Sequence, residues 1–169
     1  DRIDEKSLIQ KAGLRVAPHA IIREASDLRQ PLEDYLPGIL KLARLGYDGK
    51  GQIRVKTPGE VFEAFATLGD KPCVLEEMLD LETEISVIVA RTDSHKIKTF
   101  PVGENHHANG ILDVTIVPAR VSDAVTQKAQ EMALQLAGCH CQQPIRTTGS
   151  NAVWPPPGRY QSFESGRYG

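Results

Sequence analysis

The stretch Gly46-Tyr47-Asp48-Gly49-Lys50-Gly51-Gln52 lies between two short apolar runs, Pro37-Gly38-Ile39-Leu40-Lys41-Leu42 before it and Ile53-Arg54-Val55 after it. Strand-like runs joined by a glycine-rich turn predict a β-hairpin with a long tip. Gly46 to Gly51 has the spacing of the first half of a P-loop, but Gln52-Ile53 stands where that motif needs Lys followed by Ser or Thr. It is therefore not a P-loop, nor is it a dinucleotide-binding fingerprint. A glycine-rich tip can still cover phosphates, because its backbone N–H groups bind anions and glycine permits close approach. Lys41, leading into the loop, and Lys50, at its tip, add positive charge. Taken alone, the loop reads more simply as a solvated surface hairpin.

Outward from the hairpin, Thr57-Pro58-Gly59-Glu60 carries a helix start with a capping-box pattern. The helix runs through Val61, Phe62, Phe65 and Leu68 to a stop at Gly69. Cys73 to Leu79 reads as a strand, and Glu84–Arg91 and Lys96–Val102 read as two paired strands around the turn at 92–95. Glu104 to Gly110 is a polar stretch that reads as a loop, and Ile111 to Val117 is a further strand. Ser122 or Asp123 caps a last helix bearing Val125, Ala129, Met132, Ala133, Leu136 and Ala137, closed by Gly138. On the other side, His19–Arg23 is a strand and Asp4–Ala12 a short helix ending at Gly13. Opening directly on a helix, the chain reads as cut from something longer. Strands and helices alternate without a strict strand-helix-strand repeat, which predicts an α+β fold with mostly antiparallel sheets.

With 169 residues, 40% hydrophobic and 25% charged, the chain has ordinary globular proportions. A net charge of −2 argues against a nucleic-acid binder held by phosphate electrostatics. No apolar run is long enough for a membrane helix, the first residues lack the apolar region of a signal peptide, and three cysteines fit no disulfide framework. A cytoplasmic protein without nucleic-acid or membrane partners is expected. Cys139-His140-Cys141 has too tight a spacing, and no second ligand pair, for structural zinc. From residue 139 to 169 there are four prolines, four glycines and no leucine, and Pro155-Pro156-Pro157 offers no PxxP frame. Such a segment buries too little apolar surface to offset its ordering entropy, so it is expected to be disordered.

Two further groups carry chemistry. Val74-Leu75-Glu76-Glu77-Met78-Leu79 followed by Glu84-Ile85-Ser86 is an apolar run with acidic ends. It suits a backbone hinge for adenine with a carboxylate for ribose hydroxyls; alone, it reads more simply as a solvated strand edge. The cluster Glu104-Asn105-His106-His107-Ala108-Asn109-Gly110 needs no function as a turn, and two adjacent histidines on an extended chain point to opposite sides, so they rarely share a metal.

In order along the chain, the lysine strand, the Gly-Tyr-Asp-Gly-Lys-Gly-Gln loop and the Leu-Glu-Glu hinge resemble the ATP-grasp enzymes. So do the Glu-Ile-Ser-Val-Ile-Val-Ala-Arg strand, Phe-Pro-Val-x-Glu-Asn and Asn-Gly-Ile-Leu-Asp. The likeness is greatest to the 5-(carboxyamino)imidazole ribonucleotide synthase branch and covers residues 1–138. It implies ATP held in an ATP-grasp fold of two α+β lobes incomplete at both ends, a lid lobe at about 14–75 and a second at about 76–138. Arg2 and Lys41 would contact ATP phosphates, with Gly49 and Gly51 in the lid above them. Glu76 and Leu79 would flank the adenine, Glu84 would hold the ribose, and His106 would lie near the nucleotide. Tyr47 and Lys50 would reach 5-aminoimidazole ribonucleotide, and Lys41 and Lys50 would carry charge neutralisation during catalysis.

The implied reaction carboxylates that ribonucleotide with bicarbonate, ATP and magnesium in purine biosynthesis, in an enzyme that can form a homodimer. The family's metal-binding glutamate and its Asn-Glu-x-x-x-Arg-Pro-His stretch have no counterpart here, because residues 139–169 hold a single acid, Glu164. The tail therefore reads as an alternative or frame-shifted ending, and no metal ligand is assigned. Turnover by the chain alone is not expected. The alternative function is a non-catalytic nucleotide-binding or interaction module on the same fold.

Overall fold

The computed structural model describes residues 1–44, 51–91, 96–108, 111–139, 149–154 and 162–166. Tyr47, Gly49, Lys50, the turn at 92–95, Asn109-Gly110, His140-Cys141 and the triple proline lie outside the described residues. The chain forms two compact units, one built mainly from Asp1–Ser7 and Ala17–Asp80, the other from Leu8–Val16, Leu81–Ala108 and residues from Leu112 onward.

The first unit holds a four-stranded antiparallel sheet made of β1 (His19–Ile22), β2 (Gly38–Leu42), β3 (Gln52–Val55) and β4 (Cys73–Glu77), in the order β1-β4-β2-β3. The hairpin expected on either side of the glycine loop is β2–β3, with Lys41 opposite Gln52. Strand alternation sorts the side chains onto two faces. Ala20, Ile22, Leu40, Val55, Cys73 and Leu75 form one face, packed with Val61, Ala64 and Phe65 of helix α2 (Pro58–Thr67) and with Leu28 and Leu32 from the β1–β2 connection. Thr57 caps α2 by accepting a hydrogen bond from the Glu60 N–H, as its sequence predicts. The Glu60 side chain, however, accepts from the N–H of Lys56 rather than that of Thr57, one residue upstream of the expected box. Gly69 ends the helix region with φ +79°.

The opposite face carries Ile21 and Val74 together with three polar side chains, His19, Lys41 and Glu76. Helix α1 (Arg2–Lys11) covers part of it, with Ile3 packed against Val74, Ala43 and Ile21. At Gly38 of β2 a Cβ would collide with the Tyr35 carbonyl oxygen and stand 2.8 Å from that of Glu76. Only glycine fits between these two carbonyls.

The second unit is a larger antiparallel sheet containing β5 (Thr83–Arg91), β6 (Ile97–Thr99), β7 (Gly103–Ala108), β8 (Ile111–Ile116), β9 (Gly149–Trp154) and β10 (Ser162–Gly166). Its order is β10-β9-β5-β7-β8, with β6 also paired to β5. Ile85, Val87 and Val102 face helix α3 (Asp123–Cys139) through Ala129, Met132 and Ala133, and Ile9, Ala12, Leu14 and Val16 complete that core.

Three expectations are corrected. Residues 103–108 are a strand rather than a loop: β7 pairs with β5 from Glu84↔Asn105 to Ser86↔Gly103, and its Glu104 and Asn105 are buried because partners on other elements satisfy them. Gly138 does not end the last helix, which continues to Cys139. Nor is the segment 139–169 wholly without structure, since β9 pairs with β5 and β10 with β9. Strand addition is made by backbone hydrogen bonds, which a segment poor in apolar residues supplies as well as any other.

Candidate nucleotide site

In the first unit, Lys41 lies on β2 beside Glu76 of β4, and Lys6 reaches the same carboxylate from α1. Lys41 Nζ is 3.2 Å from Glu76 Oε2, and Lys6 Nζ is 3.2 Å from Glu76 Oε1. All three residues are buried. Burial pushes the Glu76 carboxyl up, but the charges of Lys41 and Lys6 and the hydrogen bonds from both outweigh it and hold the group below its ordinary value. His19 lies directly across from Glu76 on β1 and donates its Nδ1–H to the Ala17 carbonyl. Burial drives its pKa down, with Lys6 acting in the same direction against Ala17 and Glu76. A neutral His19 therefore adds no charge to the cluster near neutral pH.

Arg2 stands in the first turn of α1, its N–H donating to the Ala43 carbonyl at the end of β2. Gly51, with φ +77°, closes the described end of the hairpin by accepting from the Leu42 N–H. The hinge is shaped by the N–H groups of Glu77 and Met78, which donate to the carbonyls of Pro18 and Pro37. Leu79 follows, half-buried, just beyond β4.

In the second unit, Glu84 on β5 faces Asn105 on β7. Asn105 is buried; its Nδ2 donates to Glu84 Oε1 at 3.4 Å, and its Oδ1 accepts from Ser86 Oγ at 3.3 Å and Thr115 Oγ1 at 3.0 Å. Two hydroxyls on the oxygen leave the amide nitrogen turned to Glu84, so the network defines which way the amide points. Gly103 leaves room for it, because a Cβ there would lie 2.8 Å from Thr115 Cγ2 and 3.2 Å from Ser86 Oγ.

The alternation of β7 separates the two histidines. His107 shares a face with Asn105, and its Nδ1 lies 3.4 Å from Glu84 Oε2. His106 falls on the other side with Glu104, its Nε2 2.7 Å from Glu104 Oε1. The resemblance placed His106 near the nucleotide; the structure brings His107, not His106, to Glu84. Sequence reasoning missed both His107 and Lys6. Only the phase of β7 distinguishes the histidines, and the polar sequence of that strand reads as a loop.

Glu104 is buried and clamped by Arg120, which donates its backbone N–H and Nε to Oε2, each at 3.0 Å, and Nη2 to Oε1 at 2.6 Å. Hydrogen bonds from the Arg120 side chain and backbone, opposed by burial and aided by the His106 bond and the Arg120 charge, bring this carboxyl down to about 2. A carboxyl depressed by folding contributes fully above its ordinary range near 4.5, and the contribution is lost as pH falls through that range toward about 2. The chain should accordingly lose stability over this interval, and Arg120→Met should flatten the dependence. Urea midpoints measured from about pH 5 to pH 2 check this; parallel curves for the two proteins would contradict it.

Residues 7–139 match the ATP-grasp domain. The chain belongs to the ATP-grasp family. It is similar to the N5-carboxyaminoimidazole ribonucleotide synthase of Bacillus subtilis (strain 168), with 44% identity over 138 residues, covering 81% of this chain and 36% of that protein. Among solved structures, it is similar to an N5-carboxyaminoimidazole ribonucleotide synthetase in complex with ADP, with TM-score 0.86 and 35% identity over 98% of this chain and 43% of the other. An Aspergillus clavatus N5-carboxyaminoimidazole synthase in complex with ADP and 5-aminoimidazole ribonucleotide gives TM-score 0.81 and 25% identity, over 98% and 43% of the two chains. This ATP-grasp chain thus spans about a third of the length of the curated relative and well under half of the solved ones.

Among the described residues no group of three or more His, Cys, Asp or Glu side chains is placed to hold a metal ion. Among the same residues, no helix is long and apolar enough to cross a membrane.

Proposed function

We propose that this ATP-grasp chain is the nucleotide-binding portion of an enzyme that carboxylates 5-aminoimidazole ribonucleotide with bicarbonate, driven by ATP. The observation that carries the reading is the 44% identity to the Bacillus subtilis synthase over 138 residues. The buried Lys6–Glu76–Lys41 cluster supports it, because a sheet interior is an unfavourable place for charge without a task.

In this reading Lys41 and Arg2 bind ATP phosphates, Glu76 and Leu79 take the adenine, and Glu84 holds the ribose. His106 lies near the nucleotide, and His107, beside Glu84, joins it there. Gly49 and Gly51 supply backbone N–H groups to the phosphates, and Tyr47 and Lys50 bind the ribonucleotide. Phosphoryl transfer leaves little covalent work for the protein, so the contribution of Lys41 and Lys50 is positioning and charge neutralisation. ATP supplies the phosphoryl group that activates bicarbonate. Magnesium belongs to the reading as the partner of ATP, but no step is assigned to it on these residues. A homodimer and a cytoplasmic address complete the proposal. The free thiol of Cys73 is buried, and burial pushes it up to about 11, which disfavours the thiolate.

Grafting residues 1–138 in place of the matching stretch of the Bacillus subtilis synthase tests the assignment. The chimera should consume 5-aminoimidazole ribonucleotide in an ATP- and bicarbonate-dependent manner and lose that activity with Lys41→Ala. A folded chimera that binds ADP but does not carboxylate would overturn it.

A further inference from the structure

Asn105 is only 7% exposed, and polar groups from both neighbouring strands converge on its amide. From β5 come Glu84 Oε1 at 3.4 Å and Ser86 Oγ at 3.3 Å, and from β8 comes Thr115 Oγ1 at 3.0 Å. An ionised carboxylate only accepts, whereas a hydroxyl can donate, so these neighbours admit one orientation: Nδ2 to Glu84 and Oδ1 to the two hydroxyls. A Cβ at Gly103 would press on both hydroxyl-bearing side chains, so the glycine keeps the arrangement open. Joining the strands does not call for it, since apolar groups of the same shape in place of a buried hydrogen-bonded set are often nearly neutral. Apolar groups could not, however, hold a carboxylate, and Glu84 stands directly opposite Asn105 in the β5–β7 ladder.

Resting on the ribose assignment of Glu84 above, we propose that Asn105 is a positioning residue for ribose recognition: its amide, oriented by Ser86 and Thr115, donates to Glu84 Oε1 and sets the plane in which that carboxylate meets ribose hydroxyls. On the same face His107 Nδ1 lies 3.4 Å from Glu84 Oε2, and β9 places Val153 opposite Glu84 on the other side of β5. Glu84 makes a further interaction besides these; what Asn105 contributes is the donor on Oε1. Asn105→Asp keeps the shape and replaces that donor with a second carboxyl. Two facing carboxyls hold a proton more tightly than either does alone, and the shared proton restores a donor where the amide N–H stood.

The experiment titrates ADP and 2′-deoxy-ADP into the full chain as wild type, Asn105→Leu and Asn105→Asp between about pH 5 and 8. Both nucleotides carry the same phosphates, so the ratio of their affinities reports the ribose. The wild type should prefer ADP by about tenfold or more, the range for a hydrogen bond to a charged group. Asn105→Leu should bring the two nucleotides close to parity at every pH. Asn105→Asp should lose the preference near pH 8 and regain it toward pH 5, relative to the wild type at each pH. Should the leucine variant not fold, the pH profile of Asn105→Asp decides. A wild-type preference in folded Asn105→Leu, or in Asn105→Asp at every pH, would overturn the role of Asn105 and leave the nucleotide reading standing. A folded wild type that binds both nucleotides equally would overturn the ribose assignment and this role with it, and one that binds neither would overturn the nucleotide reading itself.

Discussion

Replacing Glu76 by leucine is expected to destabilise the chain by about 3–5 kcal/mol, the usual cost of stranding a buried charge by removing its partner. The effect is large because the substitution leaves two ammoniums, Lys6 and Lys41, facing each other under α1 without the carboxylate that both contact. The companion experiment separates stability from function. The triple variant Lys6→Met, Glu76→Leu, Lys41→Met fills the same space with apolar groups and should recover most of the lost stability while binding no nucleotide. Urea unfolding with unchanged m-values measures both proteins. A Glu76→Leu protein as stable as wild type would mean that the cluster is solvated and the geometry misread.

The second large effect is on turnover. With ATP, magnesium, bicarbonate and 5-aminoimidazole ribonucleotide, phosphate release by the chain alone should stay at background. Phosphoryl transfer develops charge that a metal ion held by protein carboxylates normally bridges. The glutamate and the Asn-Glu-x-x-x-Arg-Pro-His stretch that the resemblance assigns to this metal have no counterpart in residues 139–169. Missing that element lowers a rate by orders of magnitude rather than by the tens expected from one lost hydrogen bond. Release at the rate of an ordinary synthase, dependent on bicarbonate, would contradict this and return full catalytic competence to the chain.

What could be read from the sequence was local. Thr57 and Pro58 announce α2, and two apolar runs around a glycine loop announce β2–β3, because each signal is written within a few residues. Lys41, Glu76 and Glu84 were legible as a pattern, and the family likeness gave that pattern its order. Distant partners were not legible. Glu104 and Asn105 look like loop residues until Arg120, Ser86 and Thr115 are seen to satisfy them, and a strand carrying such side chains has no apolar alternation to betray it. Lys6 reads as a solvent-facing lysine of a polar helix because its partner, Glu76, lies four strands on in the chain. The pairing of β9 with β5 was hidden for the opposite reason: it uses backbone, on which composition is silent.

The most direct test of the central claim, that an ATP-grasp nucleotide site survives in this chain, is a calorimetric titration of ADP into the wild type and into Lys41→Ala. The account predicts saturable one-to-one binding that weakens by about ten- to a hundredfold when the ammonium of Lys41 is removed, the range for a charge-assisted contact with phosphate. Equal affinity in the two proteins, or no binding by a folded wild type, would contradict it.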